Sequence, residues 1–400
     1  MLRKYVQFVR QPGVAKLLLV ALLSRMPVGM VGYSMLMFLR ESLGSFALAG
    51  LAVGANFIAM AVCAPILGRL IDRHGVRRLL QVTAISQPLA LGAIVASAKL
   101  ALPFPLLVAS AVVAGALAPP ITTLTRTMWR HRFEREEDRR TAFALDAVTI
   151  EINFTVGPAL MAAILAGAGA TFAFCTAIVA VVAAVTIFAL SPAVAYFPKG
   201  EARERHLLGP LTEPRLWALF AATFGLALGI GQLEVGYPAY ATALGFPALG
   251  GVLLGINSLG SAVGGAVYGG TRFKASIERQ FAAAMGLMVL PLFLHAVVEP
   301  TALFAGVAFL AGALIAPSIA AQSVLVSRLA PAHYATEAFT WSSTFILTGL
   351  GAGMALGGQL VETIGVRAPY VVGACVIAAM AVLALATSPA PQVAPARGND

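Results

Sequence analysis

GRLIDRHGVRRLL, from Gly68 to Leu80, places Arg69, Asp72, Arg73, His74, Arg77 and Arg78 between two long apolar runs. Apolar residues flank it for roughly 20 positions on each side, the length of a helix across a bilayer. Charge at this density must sit in water, so the stretch is predicted to be a tight turn joining two membrane helices. Elsewhere the chain avoids charge. Apolar residues make up 59% of it and charged residues 11%, against about 45–50% and 25% in soluble proteins. With a mean hydropathy of +0.88, a soluble globular domain is excluded.

The net charge of +10 invites a nucleic-acid reading, and the location of the bases rejects it. Arg3, Lys4, Arg10 and Lys16 precede the first apolar run. Arg130, Arg132, Arg135, Arg139 and Arg140 fill a later loop, and Lys199, Arg203, Arg205 and Arg215 lie mid-chain. Arg272, Lys274, Arg279 and Arg328 follow, while the alternate loops hold only Arg40, Lys99 and Arg367. That asymmetry is the positive-inside rule, and it predicts a multi-pass protein of the plasma (inner) membrane of a bacterium, both termini cytoplasmic. Cys63, Cys175 and Cys375 fall inside apolar runs without metal spacing and read as small buried hydrophobes. The basic start resembles a signal peptide, but the many runs that follow make the first one a retained span.

The opening stretch also resembles the signature loop of the major facilitator superfamily, G-x-L-x-D-R-x-G-R-[RK]-x-x-L, between the second and third spans. Gly68, Leu70, Asp72, Arg73, Gly75, Arg77 and Leu80 fall on that pattern, and Val76 departs from it where a base is usual. The resemblance covers about residues 14 to 387. It implies an all-α membrane protein of twelve transmembrane helices in two pseudo-symmetric six-helix bundles, with the substrate site between them. It further implies that Asp72 latches the inner gate against the start of the eleventh span, near Glu337 to Trp341, where a helix N-terminus offers free amides and partial positive charge.

The apolar runs agree. Twelve of spanning length have centres near residues 27, 58, 89, 116, 154, 182, 226, 258, 288, 314, 349 and 378. They divide into an N-terminal bundle over 1–192, a cytoplasmic linker over 193–212 and a C-terminal bundle over 213–388. The Pro/Ala/Gly-rich tail at 389–400 is predicted to be disordered. The halves repeat: Gly50, Gly54, Asn56 and Gly68 recur as Gly251, Gly255, Asn257 and Gly269, displaced by 201 residues. Ala114-Gly115-Ala116-Leu117 recurs at a displacement of 197, and Ala142-Phe143 at 196. The Asp-Arg pair of the charged loop does not recur in the second copy, which stays basic through Arg272, Lys274 and Arg279.

Gly251, Gly255, Gly260, Gly264, Gly265 and Gly269 on the eighth run, and Gly349, Gly353 and Gly357 on the eleventh, recur at spacings that let backbones approach closely. In the family these helices, with the second and fifth, form the seam between halves, so a sliding contact is expected of them. Gly157-Pro158 on the fifth run resembles the core of a motif of the superfamily's exporters, with Phe154 and Ala162 where glycines are usual. A proline there can bend the span. Trp129, Trp217 and Trp341 fall near predicted cytoplasmic helix ends, where indoles favour headgroups.

Ionisable residues inside spans mark function. Arg25 and Glu151 each lie about nine residues into a span, roughly 14 Å from the cytoplasmic face, and matched depth pairs them. Arg126 and Asp146 match in depth nearer that face and are expected to form a second, structural or gating bridge. Glu234 approaches the outer end of the seventh span as a rim or gate residue, and His295 reads as a packed or interfacial histidine. No nucleophile elbow, zinc signature or phosphate-cradling loop occurs, so neither an enzyme nor an ATP-driven pump is indicated, and no cofactor. The sequence thus reads as a monomeric secondary transporter, with a small-molecule substrate, protons and the bilayer as its partners. Export by proton antiport is the favoured mode, with Glu151 as the proton carrier and Arg25 as its switching partner. A sugar or metabolite importer, or a transport-inactive sensor or scaffold, are the alternatives.

Overall fold

Among the described residues of the computed structural model, 7–197, 212–331 and 335–387, there is no β-strand. The side chains of 72, 140, 215, 335 and 336 are also outside the description. The helices are α1 (Val14–Leu43), α2 (Phe46–His74), α3 (Val76–Lys99), α4 (Phe104–Ala116), α5 (Ile121–Arg132), α6 (Glu136–Leu190), α7 (Pro214–Ala243), α8 (Leu249–Gly270), α9 (Ile277–Val297), α10 (Thr301–Gly312), α11 (Ile315–Leu329), α12 (Ala335–Thr363) and α13 (Ala368–Ala386). In hydrocarbon every backbone amide and carbonyl needs an internal partner, and helices supply one locally.

Eleven of these stretches are long and apolar enough to cross a membrane, counting α4 with α5 and α10 with α11 as single spans. The 55 residues of α6 are too many for one crossing. At 1.5 Å per residue they would reach roughly 80 Å, more than twice a bilayer core. The chain resolves this at Gly169, whose φ of 84° and ψ of 169° break the helix. Only glycine enters that region without strain. Two spans result, and the twelve apolar runs of the sequence are accounted for.

The charged turn is shorter than the sequence suggests. Gly75 alone separates α2 from α3, at φ 84°, with its amide on the Ile71 carbonyl at 2.8 Å. Val76, the departure from the family pattern, is buried at the start of α3. An apolar side chain there extends the core. The predicted latch of Asp72 lies outside the described residues, as do most of the predicted linker and the tail at 389–400.

The sequence repeat is a structural repeat. Asn56 donates from Nδ2 to the Ala111 carbonyl at 2.8 Å, and Asn257 donates to Ala308 at 2.9 Å. Asn56 and Asn257 are 201 residues apart, Ala111 and Ala308 197, the two displacements found in the sequence. The fourth and tenth spans break at matching places, after Ala116 and after Gly312. Gly157 lies against Gly29 in the first half as Gly353 lies against Gly231 in the second. Each half therefore closes its first span on its fifth through a glycine pair. Gly353, Gly349 and Gly357 pack on α7 within their own half, which moves this row off the seam. Gly260 and Gly264 likewise pack on the tenth span.

The seam between halves is made by other positions. Gly54 and Gly351 face each other so closely that a Cβ on Gly351 would meet the Gly54 carbonyl at 2.6 Å. Gly50 meets Met354, Gly358 meets Phe46, and Gly251 meets the Pro158 carbonyl. Pro158 itself sits within a continuous helix. Two hydrogen bonds cross here as well: Phe46 N donates to Glu362 Oε1 at 2.6 Å, and Tyr33 Oη to the Pro247 carbonyl at 3.1 Å. These contacts all lie at the end of the bundle away from the basic loops. Towards the basic end the same helices expose Val62, Ile66, Val263 and Val267. The close contacts between halves are thus gathered at one end of the bundle.

Cys175 and Cys375 are exposed and Cys63 is half-buried, a correction to their expected burial. In a bilayer an outward-facing thiol is as well solvated as a methyl group, so no burial is required. Trp129 is another correction. It is fully buried and takes part in the charge cluster described below.

A side chain at Gly54 removes the closest backbone approach of the seam. Gly54→Val is expected to shift the equilibrium away from this state by about 1–3 kcal/mol, the usual cost of overpacking. Spin labels on Ser42 and Thr363 should report it as a longer distance population. An unchanged distribution would count against a glycine-dependent seam.

Candidate functional site

Arg25 is 2% exposed and Asp146 1%, a depth of burial that an unpaired charge does not tolerate. Arg25 on α1 meets Asp146 on α6 in a fork: Nη1 donates to Oδ1 at 2.7 Å and Nη2 to Oδ2 at 3.0 Å. Parallel bonds of this kind are stronger than single ones and fix both side chains. Nη1 also donates to Thr149 Oγ1 at 3.0 Å, and Nη2 to the Thr125 hydroxyl. Trp129 Nε1 donates to Asp146 Oδ1 at 2.9 Å. The cluster ties the first, fourth and fifth spans together at the basic side of the midplane.

The sequence-based pairing is thereby corrected. Arg25 takes Asp146, the residue expected to bind Arg126. Depth along a helix does not fix direction around it. Glu151 lies five residues beyond Asp146, which turns it about 140° further round the axis. It leaves α1 behind and turns towards Ser261 on α8. Glu151 therefore faces the other half, half-buried at the seam. Arg126 is exposed and feels the attraction of Asp146 and the repulsion of Arg25 without contacting either.

Glu234 is half-buried on α7, with the Tyr237 ring as its electrostatic neighbour. His295 is fully buried, with Nδ1 2.7 Å from the Pro291 carbonyl and its ring stacked on Tyr370 at 4.8 Å. It is a packed histidine. An apolar groove of about 470 Å³ opens between α7, α12 and α13, lined by Trp217, Phe224, Leu228, Phe345, Val376 and Met380. Its almost wholly apolar walls do not select a polar solute. Among the described residues no group of three His, Cys, Asp or Glu side chains is placed to hold a metal.

The second half has a neutral counterpart of the charge cluster, which inspection of single spans did not reveal. The repeat aligns Thr125 with Gln322 and Asp146 with Ser342, and Gln322 Nε2 donates to Ser342 Oγ at 2.6 Å. Where Arg25 stands, the second half has Ala227, at the displacement of 202 that relates Gly29 to Gly231. The contact between fourth and fifth spans is common to both halves; the ions are peculiar to the first. The displacements of 196, 197 and 201 were the signal that could have found it.

A family profile described as Major Facilitator Superfamily matches residues 17–345. The chain belongs to the major facilitator superfamily. Among solved structures, the nucleoside transporter NupG aligns with a TM-score of 0.72 at 14% identity, over 93% of this chain and 98% of that one. A bacterial homologue of the iron transporter ferroportin, in an inward-facing state, gives 0.71 at 15%, over 94% and 98%. The peptide transporter POT in complex with sulfate gives 0.72 at 13%, over 94% of each chain. At such identities the likeness is one of fold. No curated protein sequence matches the chain significantly.

Within this superfamily member the buried pair and the seam carboxylate should respond differently to mutation. Asp146→Ala strands Arg25 and is expected to destabilise the fold by about 3–5 kcal/mol. Arg25→Met with Asp146→Leu should recover much of that, because the double change leaves no lone charge. Glu151→Gln keeps a partner for Ser261 and should change stability by less than about 1 kcal/mol. Unfolding in detergent checks all three, and equal losses for Asp146→Ala and Glu151→Gln would remove the distinction.

At the closed end, the Glu362 carboxylate caps the N-terminus of α2 from the opposite half. Glu362→Ala should weaken that closure by about 0.5–2 kcal/mol, the range of a lost helix cap. The same spin-label pair reads this out, and Glu362→Gln, which can still accept the amide, should be milder.

Proposed function

We propose that this protein is a secondary active transporter that exports a small organic solute by alternating access, with an inward proton driving each cycle. What supports the reading is Glu151, an ionisable side chain deep in a span that turns towards Ser261 of the other half, and in this reading the two bond in one state of the cycle. Ionised, it accepts a charge-assisted hydrogen bond from the serine. Protonated, it keeps only a neutral one, weaker by about 1 kcal/mol. Release of a proton thus favours the state in which the far ends of the halves are joined, and uptake of one loosens it. The coupling partner in this reading is Ser261; Arg25 is held by Asp146 and braces the bundle.

With the basic loops cytoplasmic, the joined end is outer, and in this reading the halves open towards the cytoplasm, as an exporter awaiting its load requires. Export is the direction that the Gly157-Pro158 resemblance supports; uptake of a metabolite is its rival, and the sign of the flux decides between them. The chain would work as a monomer in a bacterial inner membrane without cofactor, its bundles joined by the linker at 193–212. A purely structural membrane scaffold has no use for a carboxylate poised across a seam of two moving halves.

A thermal-shift screen of the purified protein identifies a solute for flux assays in proteoliposomes. Glu151→Gln is expected to lose accumulation driven by a pH gradient while retaining exchange of labelled for unlabelled solute. Accumulation that survives in Glu151→Gln would assign the proton elsewhere, with Glu234 the next carboxylate to test.

A further inference from the structure

Thr123, Arg126 and Arg130 lie three, four and seven residues apart on α5, and all three are exposed. Between them Leu124, Thr125, Met128 and Trp129 are buried. A span that met lipid along this stripe would carry apolar side chains there, as the outward faces of α3 do at Ile85 and Leu89. A polar stripe inside a bundle lines water. Arg126 is about 9 Å in from the end of α5 at Arg132, and its field reaches the buried Arg25–Asp146 pair. That places it towards the bundle interior.

Among the described residues its charge has no direct partner, and Asp146 attracts it only from a distance. Asp146 is taken by Arg25, and Glu151 turns to Ser261. Among the described residues Arg126 has no hydrogen bond and no ion pair within 4.0 Å. Nor does the helix need a base at this place. The repeat aligns Thr123, Arg126 and Arg130 with Ala320, Ser323 and Ser327 on α11, and α11 forms the same element without charge at these three places, its one base, Arg328, standing in the last turn.

We infer that Arg126, with Arg130 on the same face towards the basic end and Thr123 one turn deeper, forms a recognition site for an anionic group. The ligand is a small organic anion, a carboxylate, sulfonate or phosphate, bound by its charge to the first half. Its uncharged part faces the neutral, hydroxyl-bearing wall at Ser323 and Ser327. This rests on the transport reading and supplies the substrate class that reading lacks. The anion also accounts for the asymmetry of the two halves: one wall selects by charge, the other only by shape and hydrogen bonding.

The test reads the potential at the stripe without knowing the solute. With Cys63, Cys175 and Cys375 replaced by serine, Thr123→Cys is reconstituted in phosphatidylcholine vesicles. It is then treated with sulfonatoethyl or trimethylammonioethyl methanethiosulfonate, each rate normalised to that with free thiol. A unit charge about 5–6 Å away across one helical turn in a wet cavity changes the ratio of oppositely charged reagents by about tenfold. The anionic reagent is expected to win by that factor, to lose its advantage in Arg126→Gln and to regain it in Arg126→Lys. Benzoate, but not benzamide, should slow the reaction.

A preference for the cationic reagent, or a ratio indifferent to Arg126→Gln, overturns the anion site and leaves the transport reading standing. No reaction from either aqueous side means that the stripe faces lipid, and the transport reading then loses its cavity as well. An advantage abolished by adding phosphatidylglycerol to the vesicles overturns the solute site in favour of a lipid headgroup.

Discussion

Lipid tails are as apolar as leucine, so no hydrophobic force drives one membrane helix onto another. Close packing must supply the attraction, and it falls steeply with separation. This fold meets the demand by placing glycine where one backbone lies against the next. Gly29 meets Gly157 within the first half, and Gly231 meets Gly353 within the second. The asparagine bonds, Asn56 to Ala111 and Asn257 to Ala308, fasten the second span to the fourth and the eighth to the tenth. Each half is thereby a rigid unit built from one plan.

The same device, used between halves, has a different consequence. Gly54 against Gly351 and Gly251 against Pro158 join surfaces that carry few polar bonds between them. Flat glycine contacts without interlocking side chains can separate without rupturing a core. The two hydrogen bonds that cross the joined end use Glu362 on a helix amide and Tyr33 on a carbonyl. The Glu362 bond lies at helix ends, where water can replace it, while the Tyr33 bond starts from a buried ring within α1. A molecule of two stiff bundles and a breakable join is what alternating access requires mechanically.

Charge is divided along the same line. Arg25 and Asp146 satisfy one another inside a bundle, with Thr125, Thr149 and Trp129 completing the set. A pair so buried and held by so many bonds is a brace. Glu151, one and a half turns away on the same helix, faces the join instead. The distinction between a charge braced inside a bundle and one turned to the join follows from which way each side chain leaves the helix.

The sequence alone determined the class of this protein. Composition, the twelve apolar runs, the distribution of bases and the turn at Gly68–Leu80 depend on local content, and a bilayer converts local content directly into spans. The duplication was equally legible, since displaced copies of glycine and asparagine mark contacts made twice. Partners were not. Arg25 was matched with Glu151 by depth, and depth is only one of the two coordinates of a helical position. The other, the angle about the axis, acquires meaning once neighbouring helices are in place. For the same reason the glycine row at Gly349, Gly353 and Gly357 pointed to the seam in the sequence and into its own half in the fold, while Gly351 and Gly358, a fraction of a turn round, make the seam. The chain writes what each residue is and how deep it lies; only the packed bundle decides what it faces.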